Sequence, residues 1–248
     1  MRTVRRVWRT TLTVLLCTTA LAAAGEDKAA KPKRAYQMLV EPAQLQKKLS
    51  EASVRILDAR PREDYNQGHT PGALRVDVGD WKALALADGG LQDAKGWAAK
   101  LGTLGITPNT HVVVYGGSIS NAARIWWLLK YVGVEHASLL NGGWESWAKS
   151  DLASETAAPS VDETEFKTAF QSERVVDIDS LKKSLESDQV TIVDTRSDSE
   201  FAGGRIPGST HLEWKELVAE DGRFKTRKQL GQLFRDKGIM PNEAAVCY

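Results

Sequence analysis

Two stretches of the chain carry the same order of polar and apolar positions. "LVEPAQLQKKLSEASVRILDARPREDYNQGHTPGA" (39–73) lies over "VVDIDSLKKSLESDQVTIVDTRSDSEFAGGRIPGS" (175–209) at a constant offset and without a gap. Leu45 then matches Leu181, Leu49 matches Leu185, Asp58 matches Asp194, Arg60 matches Arg196, and Pro71-Gly72 matches Pro207-Gly208. In each copy, apolar residues at helical spacing predict a short amphipathic helix. The β-branched runs "VRILDA" and "VTIVDT" that follow predict strands ending in an acidic residue and an arginine. The copies match again at "LGITPNTHVVVYG" (104–116) and "KGIMPNEAAVCY" (237–248), where Pro108 lies over Pro241 and Tyr115 over Tyr248. Both read as a helix end, a glycine stop, a proline turn and a buried strand. Strands alternating with helices of this length predict βα units on a parallel sheet, so the fold class is α/β, written twice.

The repeat sets the division of the chain: a first domain over 36–150, a linker over 151–160 rich in Ser, Ala and Pro, and a second domain over 161–248. Ahead of it, "MRTVRRVWRT" is cationic, "TLTVLLCTTALAAA" is apolar but short, and Ala22-Ala23-Ala24 offers small residues for cleavage. Residues 1–24 therefore read as a secretory signal, with an uncleaved anchor as the other reading, and the product is expected to be exported, periplasmic or secreted, with no stable membrane insertion after cleavage. Residues 25–35 form a polar, lysine-rich tether.

Thirty-three basic against 32 acidic residues give a formal charge of +1, which gives no reason to expect a nucleic-acid partner. Of the two cysteines, Cys17 falls in the leader, so Cys247 would be the lone thiol of the exported protein, without an intrachain disulfide. The four histidines and this thiol show no zinc-ligand spacing, and no metal or organic cofactor is expected.

"YNQGHTPGALRV", "LLNGGWESW" and the strand ends "LDAR" and "VDTR" resemble the signatures of the rhodanese family, in the family's order and over about residues 36–248. The likeness is to two-domain sulfurtransferases of the thiosulfate or 3-mercaptopyruvate type. Thr70 in the first copy, and Arg205 and Ser209 in the second, depart from the family motif. The resemblance implies transfer of sulfane sulfur from a small anionic donor to a thiol or cyanide acceptor, through a persulfide on a cysteine that directly follows a central strand. In the first copy that position is Gly116, so the first copy is expected to lack a nucleophile.

The overlay puts Cys247 on Val114 and Tyr248 on Tyr115, so the nucleophile would be the residue after Tyr248 and the chain reads as truncated before its active-site loop, its second domain incomplete. Cys247 is then a core residue of the strand. A slip of one or two residues would instead make Cys247 the catalytic thiol. The resemblance implies a substrate-binding arginine at this strand end, which makes Arg196 the candidate donor-binding residue, and a guanidinium matches thiosulfonate or carboxylate oxygens in bidentate fashion. It could equally form an ion pair with Asp194, Asp198 or Glu200. Asp58 and Asp194 read as organisers of turns and His69 as a turn residue rather than a general base. The hydroxyls of Ser118 and Ser120 have no identifiable activating partners. A non-catalytic binding module and a phosphatase variant of the fold are the competing functional readings.

Overall fold

The computed structural model describes residues 37–187 and 189–248. The signal and tether readings fall on residues outside these, and the described residues form one compact unit. In chain order the first half holds β1 (Leu39–Val40), α1 (Pro42–Gln46), β2 (Val54–Asp58), α2 (Arg62–Gln67), β3 (Ala73–Arg75), α3 (Val78–Leu86), α4 (Ala94–Gly102), β4 (His111–Tyr115), α5 (Ile119–Tyr131), β5 (Ala137–Leu140) and α6 (Gly143–Ala148). The second half holds α7 (Ile178–Ser184), β6 (Val190–Asp194), α8 (Asp198–Gly203), β7 (Thr210–His211), α9 (Arg227–Asp236) and β8 (Ala244–Cys247). All strand pairs are parallel, in a five-stranded sheet of order β1-β5-β4-β2-β3 and a three-stranded sheet of order β7-β6-β8.

The first sheet is covered on both faces, as parallel sheets require. Along β4 the side chains alternate. Val112 and Val114 join Leu57 in a core with Trp81, Trp97, Leu101, Ile125 and Leu129 of α3, α4 and α5. Val113 and Tyr115 join Ile56 in a second core with Leu45 of α1 and Trp147 of α6. Short helices hold their ends by side chains. Ser197 and Glu200 form a capping box on α8, and Thr226 and Gln229 form one on α9.

Two of the matched turns share one backbone geometry. Gly72 and Gly208, each after the matched proline, have φ of 75° and 79°, a left-handed conformation that an L side chain resists. Leu57 pairs with Val114 and Asp58 with Tyr115, while Val193 pairs with Cys247.

Three features depart from the sequence reading. Leu39–Val40, expected at the start of a helix, instead form β1 against Leu139–Leu140. Their main-chain groups find a strand edge before the helix can begin at Pro42. Residues assigned to the linker and to the start of the second domain bind the first half. Glu155 exchanges backbone hydrogen bonds with His69, each 2.9 Å, and its Oε1 accepts from the Gly72 amide at 2.7 Å. Farther on, the Thr164 amide donates to Gly102 O, the Ala169 amide donates to Val132 O, and Phe166 is buried in the first core.

Candidate functional site

The carboxyl edge of each sheet carries an Asp–Arg pair built by two-residue spacing. A strand that ends in Asp and turns sharply lets the arginine two residues on fold back over the carboxylate. Asp58 is fully buried and accepts Arg60 Nη2 at 2.6 Å and Nε at 3.0 and 3.1 Å, and Arg60 Nη2 also donates to Gly68 O at 2.6 Å. Asp194 is equally buried, accepts Arg196 Nη2 at 2.6 Å and Nε at 3.0 Å, and Arg196 Nη2 donates to Gly204 O at 2.7 Å. The pairs differ in access, since the Arg60 side chain is 4% exposed and that of Arg196 is 33% exposed.

Of the ion-pair partners weighed for Arg196, Asp194 is the one engaged. Glu200 is taken up by Ser197, and Asp198 faces His211 Nδ1 at 3.5 Å. The Arg196 hydrogen bonds hold the Asp194 carboxyl well below the usual carboxylate range, and Asp194 in turn raises Arg196. Nη1 of Arg196 is left over by Asp194 and Gly204, on a partly exposed side chain. Structural pairing and donor binding are therefore compatible in one residue.

A tyrosine closes each site from the neighbouring strand. The Tyr115 hydroxyl accepts the Thr70 amide at 3.1 Å, and the Tyr248 hydroxyl accepts the Ile206 amide at 2.9 Å. Burial, followed by the Asp58 charge, pushes the Tyr115 phenol far above its ordinary value, so it stays protonated. Arg60 lies 4.2 Å from the Trp144 ring and 5.7 Å from that of Tyr115, while Arg196 lies 5.1 Å from that of Tyr248.

Cys247 lies inside β8, its backbone in the ladder opposite Val193, and it occupies the place that fully buried Val114 holds in the first half. It is exposed by surface area, yet neighbouring atoms desolvate the thiol enough to push its pKa above the ordinary value. A raised pKa keeps the thiol protonated at neutral pH, the opposite of what a nucleophile needs.

In the first half, Gly116 and Gly117 follow β4 and lead through Ser118 into α5. Ser118 Oγ and Ser120 Oγ lie 2.7 Å apart, bonded to each other. His69 is fully buried, stacked on Tyr65 with ring centroids 3.8 Å apart, and its Nδ1 lies 2.9 Å from Tyr65 O, the geometry of a packing residue. Trp214, Val218 and Gly222 were not singled out in the sequence, yet they line a cavity with Gly116 and Trp144. They come from the other half of the molecule, and no local pattern marks such a contact.

An open parallel sheet flanked by helices, with a buried Asp–Arg pair and a glycine loop entering a helix at its carboxyl edge, defines an α/β domain whose candidate site lies at the ends of its strands. The chain belongs to the rhodanese-like domain family, whose model matches residues 41–150 and 177–248. It is 30% identical over 219 residues to the 3-mercaptopyruvate sulfurtransferase of Escherichia coli (strain K12), covering 77% of this chain and 76% of that protein. It is 29% identical over 212 residues to the thiosulfate sulfurtransferase of Bos taurus, covering 75% and 71%. Among solved structures, a 3-mercaptopyruvate sulfotransferase from Escherichia coli superposes with a TM-score of 0.75 at 29% identity, covering 85% of this chain and 87% of that one. These relatives are sulfurtransferases, which supports sulfur transfer as the chemistry of the fold here.

Proposed function

We propose that this protein serves sulfur transfer, moving sulfane sulfur from a small anionic donor such as thiosulfate to a thiol or cyanide acceptor. In this reading a cysteine thiolate attacks the outer sulfur of the donor. The S–S bond breaks, sulfite leaves with the bonding pair, and a persulfide remains on the cysteine. Cyanide then takes the terminal sulfur, forming thiocyanate and returning the thiolate. Arg196 holds the anionic donor through the guanidinium face that Asp194 and Gly204 leave open. The product acts outside the cytoplasm after removal of residues 1–24.

The observation that carries this reading is the strand register. With Val193 opposite Cys247 and Thr195 N donating to Tyr248 O at 3.0 Å, Tyr248 is the counterpart of Tyr115. On this register the sulfur-carrying position lies beyond the tyrosine that closes the site, and Cys247 is a strand residue rather than the nucleophile. A second reading, a non-catalytic binding module, is favoured by Gly116, which stands at the nucleophile position of the first half.

The test is thiocyanate formation by the 248-residue chain supplied with thiosulfate and cyanide. No turnover above a Cys247→Ser control is expected. Turnover that Cys247→Ser abolishes would reassign the nucleophile to Cys247. The codon after 248 separates the two readings. A cysteine codon is expected for the enzyme, and a mass increment of one sulfur atom on that cysteine would mark the persulfide. A stop codon supports the binding module.

A further inference from the structure

His211 ends β7 opposite Asp194 of β6, just as Arg75 ends β3 opposite Asp58 of β2. Each side chain reaches the main-chain carbonyl of the arginine in its own Asp–Arg pair. Arg75 Nε donates to Arg60 O at 3.2 Å, and His211 Nε2 lies 3.0 Å from Arg196 O. Each also meets a carboxylate, Arg75 that of Asp77 at 2.7 Å and His211 that of Asp198 at 3.5 Å. The matched position therefore holds a permanent cation in the first half and a group of switchable charge in the second.

These contacts decide which ring nitrogen of His211 holds the proton. A carbonyl oxygen only accepts, so Nε2 is the N–H of the neutral ring and Nδ1 presents a lone pair. That lone pair faces Asp198 Oδ1, an arrangement that becomes an ion pair once Nδ1 takes up a proton. Phe201 of α8 stacks on the ring with centroids 4.3 Å apart and also carries the Arg205 guanidinium, 4.5 Å from its own centroid. Asp194, the ladder partner, is engaged by Arg196, and Glu213, two residues on, is paired with Lys215 Nζ at 2.9 Å. The main chain of Arg196 is thus held from both sides, its amide donating to Asp194 Oδ1 at 3.0 Å and its carbonyl accepting from His211.

We propose that His211 is a positioning residue for Arg196, and that protonation of its ring strengthens the binding of an anionic donor there. The proposal rests on the reading of Arg196 as the donor-binding residue. A proton on Nδ1 makes the Nε2–H bond to the Arg196 carbonyl charge-assisted and adds a positive charge next to the Arg196 main chain. Protonation and anion binding then favour each other, so affinity rises as pH falls. Arg75 supplies the same hold in the first half without a dependence on pH.

The test is calorimetric titration of the full chain with thiosulfate at about pH 8.5 and about pH 5.5, which span the range in which imidazoles usually change charge. Affinity is expected to be about fivefold tighter at the lower pH, the effect of one added positive charge on a dianion. His211→Arg, which puts the first half's residue at this position, should bind at both pH values within about twofold of the unaltered chain at the lower one. His211→Gln, neutral throughout, should bind weakly at both. Nitrogen NMR of the ring at the higher pH should show the Nε2–H tautomer, and thiosulfate added in mid-titration should increase the protonated fraction. Arg196→Lys should weaken thiosulfate at both pH values, since it loses the planar fork. Thermal unfolding of each variant establishes that it is folded. The same pH dependence in His211→Arg as in the unaltered chain, or an Nδ1–H tautomer, would overturn the proposal and leave Arg196 as the donor-binding residue. No binding at about 10 mM thiosulfate, or binding indifferent to Arg196→Lys, would overturn the donor-binding reading and the proposal with it.

Discussion

Asp58 and Asp194 are both fully buried carboxylates, and each is answered by the arginine two residues on. A buried charge without a partner is strongly destabilising, so the "D-x-R" spacing legible in the sequence is a structural requirement before it is a functional one. The use of the arginine is decided afterwards by exposure. Arg60 is sealed against Trp144 and Arg196 is open to solvent. Cys247 shows the same dependence on surroundings, since its place in a strand was legible and its exposure was not. His111, at the start of β4, is 7% exposed with Nε2 2.9 Å from Ser138 Oγ. Burial, reinforced by Lys48 and His136, lowers its pKa to about 4 from an ordinary 6.5. The folded state therefore excludes a proton that the unfolded chain accepts below about pH 6.5, and stability falls as pH drops from there towards about 4. The expected loss is at most about 3 kcal/mol, read from urea midpoints across this range, and His111→Gln should flatten the slope. An unchanged slope in the variant would refute the assignment.

At the scale of elements, β4 and β8 have the same turn chemistry and the same kind of partner, yet every residue of β4 is buried while β8 is mostly exposed. Val114 lies in one core with Ile125 and Leu129 of α5, whereas β8 is an edge strand paired with β6 alone. Hydrogen exchange tracks such differences in local burial. Amides of β4 are expected to exchange at least about a hundredfold more slowly than those of β8, and limited proteolysis should cut the second half first. Equal protection of the two strands would contradict this account. The pair 39–40 and 175–176 shows why pattern alone could not decide these elements. Leu39–Val40 form a strand because β5 offers an edge, while Val175 and Val176, matched to them in sequence, are 39% and 40% exposed. A strand is a property of two segments, and one segment cannot announce its partner.

Across the whole molecule, the halves meet where Arg223 reaches Glu41 and Ser146, and Asn141 joins both sides through Glu41 and the Phe224 amide. Arg223→Ala should lower the urea midpoint by the equivalent of about 1–2 kcal/mol, and a cycle with Glu41→Gln should show coupling between the two residues. Additive effects would mean that the contact does not fasten the halves. The amino-acid sequence by itself determined the α/β class, the repeat, the Asp–Arg ends and the register that sets Tyr248 on Tyr115, because each depends on spacing within one segment. Only the tertiary structure decided that residues 164–171 belong with the first half, that Cys247 lies open, and that Trp214 and Val218 roof a cavity over Gly116. These depend on surfaces brought together from distant parts of the chain, where burial and partner edges, rather than local periodicity, select the outcome.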